Sequence, residues 1–102
     1  MPKIRVTLRI VVYRESRLWL AHCLELDIVA EGTTSAAAVK DLLDLCLLQI
    51  DVAGEEGDLE SIFRPAPPEI WKMFFMSQKR KMVKPPPGSA VEAIEERELS
   101  LV

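Results

Sequence analysis

The sequence is poor in the residues that build metal and redox sites. Its 102 residues include one histidine, His22, and two cysteines, Cys23 and Cys46. No Cys-x-x-Cys pair and no cluster of cysteine with histidine is present, so neither a metal nor another cofactor is expected. Both cysteines stand among apolar residues. We therefore expect two buried thiols in a reducing compartment, although the sequence alone leaves a disulfide between them open.

Long apolar runs are also missing. No window approaches the roughly 18–20 apolar residues that a membrane-spanning helix needs. Residues 1–9 alternate charged with apolar side chains, unlike the apolar centre of a signal peptide. We therefore expect a cytoplasmic protein without membrane contact. The net charge of −3 argues against nucleic acid as a partner of the whole surface, but it leaves a local basic patch open.

Length and composition fit one domain. With 49% hydrophobic residues, the chain has material for one ordinary core and not for two. We expect a single domain over residues 1–102. Its core would span residues 4–64, and residues 65–102 would add a proline-bracketed helix and a tail.

The N-terminal third predicts strands. Residues 3–13 alternate with a period of two and are rich in β-branched side chains, which is typical of a half-buried strand. A polar break of hairpin length follows at residues 14–17. Residues 18–24 and 26–31 then predict a second and a third strand. Because these connections are too short for helical crossovers, the strands should be antiparallel neighbours.

The apolar period changes after the third strand. Thr34 or Ser35 is a good N-cap, and apolar residues then recur at helical spacing. This pattern predicts an amphipathic helix of about four turns, with Gly54 as its C-terminal stop.

Prolines bracket the C-terminal third. Pro68 is expected in the first turn of a second helix. The Lys-Arg-Lys run at residues 79–81 would lie near the C-terminal end of this helix. Residues 90–102 fit either a helix or a closing strand. Together these elements predict an α+β fold, in which a three- to four-stranded antiparallel sheet in the order β-β-β-α carries helices on one face.

One stretch resembles a known family. Residues 23–34 read Cys-Leu-Glu-Leu-Asp-Ile-Val-Ala-Glu-Gly-Thr-Thr and resemble the turn that ends the strand hairpin in the HicB-like antitoxin family. Residues 11–13 and 18–21 match the first two strands of that family, and residues 37–42 match the start of its helix. The resemblance covers about residues 4–53.

The resemblance implies a partial RNase H-like sheet and a binding protein that is not an enzyme. Its partner would be a small basic, mRNA-cleaving toxin of the HicA-like kind. The resemblance also favours a closing strand over residues 90–102. Two features depart from the family. The first helical turn has no acidic residue to complete a capping box, and no ribbon-helix-helix or helix-turn-helix segment for DNA binding is found after residue 54.

Five residues are candidates for partner binding. Three are carboxylates that would attract a basic toxin, and two are aromatic residues that we expect on the sheet face that the helix leaves uncovered. They are Glu25, Asp27, Glu31, Tyr13 and Trp19. We also expect a homodimer or a higher oligomer, because small sheet domains with unprotected edges need cover.

The same three carboxylates also suggest an alternative function. Their spacing of two and four residues would place them on one face of an extended chain, and carboxylate clusters hold divalent metals in nucleases. A metal-dependent RNase H-like nuclease is therefore one rival, with solvated loop carboxylates as the simpler interpretation. An oligomeric module without a toxin is another. His22 lacks partners at ligand spacing and is expected to pack at a sheet edge or under a loop, so no catalytic residue is assigned.

A basic segment is the candidate for nucleic-acid contact. Aromatic residues alternate with its cations, as in surfaces that stack and neutralise RNA. The favoured alternative places the aromatics in the core and the cations in solvent, with the glutamates of the tail neutralising them. The residues concerned are Lys72, Lys79, Arg80 and Lys81, interleaved with Trp71, Phe74 and Phe75.

Overall fold

The computed structural model describes residues 5–99. The elements follow one another as β1 (Val6–Glu15), β2 (Leu18–Cys23), β3 (Ile28–Gly32), α1 (Ser35–Glu55), a 3-10 turn (Leu59–Ile62), α2 (Pro68–Met76), β4 (Lys79–Val83) and β5 (Val91–Glu98). No helix in this part of the chain is long and apolar enough to cross a membrane.

The strands form one five-stranded mixed sheet in the order β3-β2-β1-β5-β4. As predicted, β1, β2 and β3 are antiparallel neighbours, and the α+β class is confirmed. The prediction of an all-antiparallel sheet with three to four strands is wrong, because β5 pairs parallel to β1 and β4 pairs antiparallel to β5. The chain crosses the sheet between β3 and β4, so the second half of the molecule adds its strands on the other side of β1.

The main core lies between the sheet and α1. Thr34 caps this helix through its hydroxyl, which accepts from the Ala37 N–H at 3.1 Å. Gly54 lies inside the helix and does not end it; Gly57 follows the helix with a left-handed φ of +69°. Alternate residues of β1 meet one stripe of α1, because side chains in a strand point to opposite faces in turn. The central contacts are made by Val6, Leu8, Ile10, Val12, Leu42, Cys46 and Ile50.

The second helix packs on the opposite face of the sheet, so the prediction of helices on one face is wrong. Val11 points away from α1, is fully buried and packs with Leu24 and Phe74. The chain reaches this face along residues 64–67. There the Arg64 N–H donates to the Glu25 carbonyl at 3.0 Å, and the Ala66 N–H donates to the Leu24 carbonyl at 2.8 Å.

The Lys-Arg-Lys run lies in β4, not at the end of a helix. As predicted, Pro68 occupies the first turn of α2, but this helix ends at Met76. The Ser77 hydroxyl donates to the Met73 carbonyl at 2.7 Å and closes the helix early. The closing strand expected in the tail is present as β5. Residues 3–4 of the first predicted strand and residues 100–102 of the tail lie outside the described residues.

The two cysteines are buried free thiols. Cys23 lies at the end of β2 and Cys46 in α1, within the same apolar core. A hydrogen bond with Cys23 and burial raise the pKa of the Cys46 thiol far above its ordinary value. Because a thiolate is the reactive form of cysteine, this pair is suited to packing and not to catalysis.

Candidate partner-binding face

The sheet face opposite α1 is only partly covered, because α2 packs mainly against β1. Over β2 and β3, cross-strand pairing sets Tyr13 beside Leu20 and Leu20 beside Glu31. Leu18 is 38% exposed and Val29 is 46% exposed. We call the surface formed by Tyr13, Leu18, Leu20, Val29 and Glu31 the outer face. It is an apolar patch that ends at the edge strand β3.

Asp27 lies at the end of this face, directly before β3. Its backbone is left-handed, with a φ of +52°. Its Oδ1 lies 2.6 Å from Nε2 of His22, and its side chain remains 41% exposed. His22 is buried in the interior strand β2, between Val11 and Val29, and its Nδ1 has no hydrogen-bond partner among residues 5–99. The contact fixes the Asp27 carboxylate at the corner where β2 turns into β3.

Glu25 has a structural role inside the same turn. Its Oε1 accepts from the backbone N–H of Arg9 at 2.7 Å, and its Oε2 accepts from the Arg9 guanidinium at 2.6 Å. The side chain is only 13% exposed. The Arg9 guanidinium also lies 5.9 Å from the centre of the Trp71 ring. Glu25 therefore holds the turn against β1 and, through Arg9 and Trp71, links it to α2. Its charge is paired within the chain.

Tyr13 and Trp19 do not share a face, although both were expected on the side away from the helix. Tyr13 lies on the outer face and is half-buried; burial, and then the nearby Glu15, raise the pKa of its hydroxyl. Trp19 pairs with Arg14 and points the other way, where it packs against the core beneath α1. The reason is that side chains alternate between the two faces of a strand. Leu20 lies on the same face as Tyr13, so Trp19 lies on the face toward α1.

The three carboxylates are not gathered into a metal-binding cluster. Glu25 is bound to Arg9, Asp27 to His22, and Glu31 lies exposed on β3. Within residues 5–99, no group of three histidine, cysteine, aspartate or glutamate side chains is placed to hold a metal ion. The nuclease alternative therefore gains no support from this arrangement.

The basic residues of β4 are divided between both faces of the sheet and are paired with glutamates of β5. The Lys79 ammonium lies 3.6 Å from Glu98, and the Arg80 guanidinium lies 3.2 Å from Glu95.

Lys81 is the register partner of Glu96. Burial raises the pKa of Glu96, and Lys81 opposes this shift. Lys79 and Lys81 border a groove of about 540 Å³ between α1 and the β4–β5 pair. Lys72 is exposed on α2, Phe74 is buried in the core, and Phe75 is 63% exposed. Lys79 and Arg80 are thus paired with glutamates of β5, and of the aromatic residues Phe74 lies in the core while Phe75 does not.

The outer face thus contains Tyr13 and Glu31, with Asp27 at its end, whereas Glu25 is bound to Arg9. Sequence reasoning missed its apolar residues, Leu18 and Val29. Both residues belong to the alternating pattern of short strands, which the sequence does show. The sequence does not show which face of β2 and β3 the second helix leaves open.

Comparisons with protein-family models, with curated proteins and with solved structures gave no match for this chain. The resemblance to the HicB-like family therefore rests on residues 23–34 and on the strands and the helix around them.

Proposed function

We propose that this chain is a HicB-like, antitoxin-type protein that captures a small basic protein on its outer face and along the edge of β3. The observation that carries the proposal is an apolar patch with carboxylates beside it at a sheet edge. Val29 and Leu18 supply exposed apolar area, and Glu31 and Asp27 supply negative charge. The first four elements follow the predicted β-β-β-α order, and the resemblance covers this part of the chain.

The chemistry of this edge suits a basic partner. An edge strand presents backbone N–H and C=O groups to which an incoming strand can add. Exposed apolar side chains beside it act as anchors, and carboxylates speed the approach of a cation-rich protein and fix its orientation. A toxin held in this way would have its RNA-binding surface covered. The chain would act stoichiometrically, in the cytoplasm where toxin and mRNA meet.

The two edges of the sheet differ in charge, which selects β3 over β4. β4 presents Lys79, Arg80 and Lys81, all exposed. Lys79 and Arg80 are paired with glutamates of β5, so this edge offers a basic protein no uncompensated negative charge. β3 presents Glu31, with Asp27 immediately before it. A basic partner therefore has one favourable edge.

The test is capture of partners by the tagged full-length chain from nuclease-treated lysate of its source, read by mass spectrometry. We compare Val29→Lys with Met82→Lys, because both residues are exposed and apolar, lie on edge strands and point to the same side of the sheet. A stoichiometric small basic protein is expected with the unmodified chain and with Met82→Lys. Val29→Lys should reduce its recovery about tenfold, as for loss of an interface anchor.

Other outcomes would overturn the proposal. Equal capture by both variants would remove the outer face from the interaction. Recovery of the chain alone, at dimer mass or above, would favour the oligomeric module without a toxin. Magnesium-dependent RNA cleavage that is lost with Asp27→Asn would favour the nuclease.

A further inference from the structure

The solvent side of α1 carries an apolar stripe that no described element covers. Leu45, Leu48 and Val52 are 46%, 61% and 45% exposed. Their spacing of three and four residues places them in one line along the helix. Leu48 and Val52 also border a recess of about 310 Å³, whose far wall includes Ile62. We call these three residues the α1 stripe.

Acidic residues flank the α1 stripe, and one basic residue, Lys40, lies near its N-terminal end. Asp44, Asp51 and Glu55 are exposed on its flank, and the helix has no basic residue in its last turn. Lys40 is 3.3 Å from Asp44; no other ion pair to an acidic residue of α1 is formed within residues 5–99. Because the C-terminal end of a helix already carries partial negative charge, acidic residues there add to an unfavourable potential that a cation would relieve.

We propose that the α1 stripe docks a basic amphipathic helix from another protein. Two turns of apolar side chains at helical spacing fit the apolar side of a second helix, and the recess beside Leu48 can receive one of its side chains. Charge complementarity selects the partner. A second copy of this chain packing α1 on α1 would set Asp51 and Glu55 against the same acidic row, whereas a lysine-rich helix would neutralise it.

This surface is separate from the outer face. α1 covers one side of the sheet, and Val29 lies on the other. The proposal therefore goes beyond the capture of a toxin at β3 and does not rest on it. Each surface can be tested with a variant that leaves the other intact.

The probe is a fluorescein-labelled peptide of ~18 residues, long enough to form a helix, with leucine at three- and four-residue spacing and lysine elsewhere. Fluorescence anisotropy measures its dissociation constant with the full-length chain at about 50 mM and about 300 mM NaCl, since salt screens surface charge. A scrambled peptide keeps the composition and loses the apolar side. A peptide with glutamate in place of lysine reverses the charge.

We expect the lysine peptide to bind, with binding weakened by salt. Both control peptides should bind about tenfold more weakly or worse, and Leu48→Gln should weaken the lysine peptide by a similar factor. Met82→Gln, a matched change at an exposed apolar residue of β4 that lies outside both surfaces, should leave its affinity unchanged. Leu45→Gln is the second stripe variant, used if circular dichroism shows that Leu48→Gln does not fold.

Three results would overturn the proposal. Equal binding of the scrambled peptide would show attraction by charge alone. Unchanged binding by both folded stripe variants would remove the stripe. A dimer in sedimentation velocity that Leu48→Gln dissociates would assign the stripe to a second copy of the chain.

Discussion

Substitution of Glu25 distinguishes a partner-binding role of this residue from a structural role. Its carboxylate accepts two hydrogen bonds from Arg9, at 2.7 and 2.6 Å. The perturbation is Glu25→Ala. It removes the charged partner of the Arg9 guanidinium and leaves the Arg9 backbone N–H without an acceptor. The turn that loses this bond also anchors residues 64 and 66 through the carbonyls of Glu25 and Leu24. The variant should therefore loosen the path from the 3-10 turn to α2.

The magnitude follows from the two bonds. A hydrogen bond to a charged group contributes about 1.5–3 kcal/mol, and an unsatisfied buried N–H costs about 1–3 kcal/mol. The Arg9 side chain is 40% exposed, so water recovers part of the loss. We expect a decrease in the free energy of unfolding of about 2–4 kcal/mol, or roughly 10–20 °C in Tm for a domain of this size. Glu25→Gln keeps an acceptor for the N–H and should lose about half as much.

Urea unfolding followed by far-UV circular dichroism measures this loss. Glu31→Ala is the matched control, because Glu31 is exposed and lies outside the contacts with Arg9; its stability should stay within about 0.5 kcal/mol of the unmodified chain. The reasoning is refuted if Glu25→Ala is as stable as Glu31→Ala. If Glu25→Ala were fully stable and still failed to capture a basic partner, Glu25 would be a contact residue, as the sequence predicted.

Three further predictions concern stability. A Cβ added to Gly32 would lie 2.7 Å from the Ala38 nitrogen, so Gly32→Ala should lower the free energy of unfolding by about 1–3 kcal/mol through overpacking. Gly54 lies within α1 with open space around it, so Gly54→Ala should raise the free energy of unfolding by about 0.5–1 kcal/mol. The same urea assay measures both changes, and a change of the opposite sign would contradict the prediction concerned. Burial raises the pKa of Glu96 above 4.5, so its ionised form opposes folding at neutral pH. Glu96→Gln should therefore be more stable than the unmodified chain at pH 7. This gain should shrink as the pH falls through the raised pKa of Glu96 toward 4.5, below which this carboxyl is neutral in both the folded and the unfolded chain. A constant gain across pH would contradict the assignment.

The candidate site was predicted in part from residue type. Tyr13 and Glu31 lie on the outer face and Asp27 lies at its end, because strand register and the turn after β2 place them there. Glu25 belongs to the same turn but contacts Arg9. These two residues are 16 positions apart in the sequence, and no local pattern predicts the contact. Trp19 was placed on the wrong face, since one residue of strand register decides the side on which a side chain lies.

The sequence by itself determined the local structure: the alternation of β1, the Thr34 cap of α1 and the entry of Pro68 into α2. Each depends on residues adjacent along the chain, where steric preference and hydrogen bonding act over a few positions. Only the tertiary structure decided that residues 79–83 form a strand, that β5 lies parallel to β1, and that α2 covers the face opposite α1. These outcomes follow from burying both faces of β1, and that burial depends on partners distant in sequence.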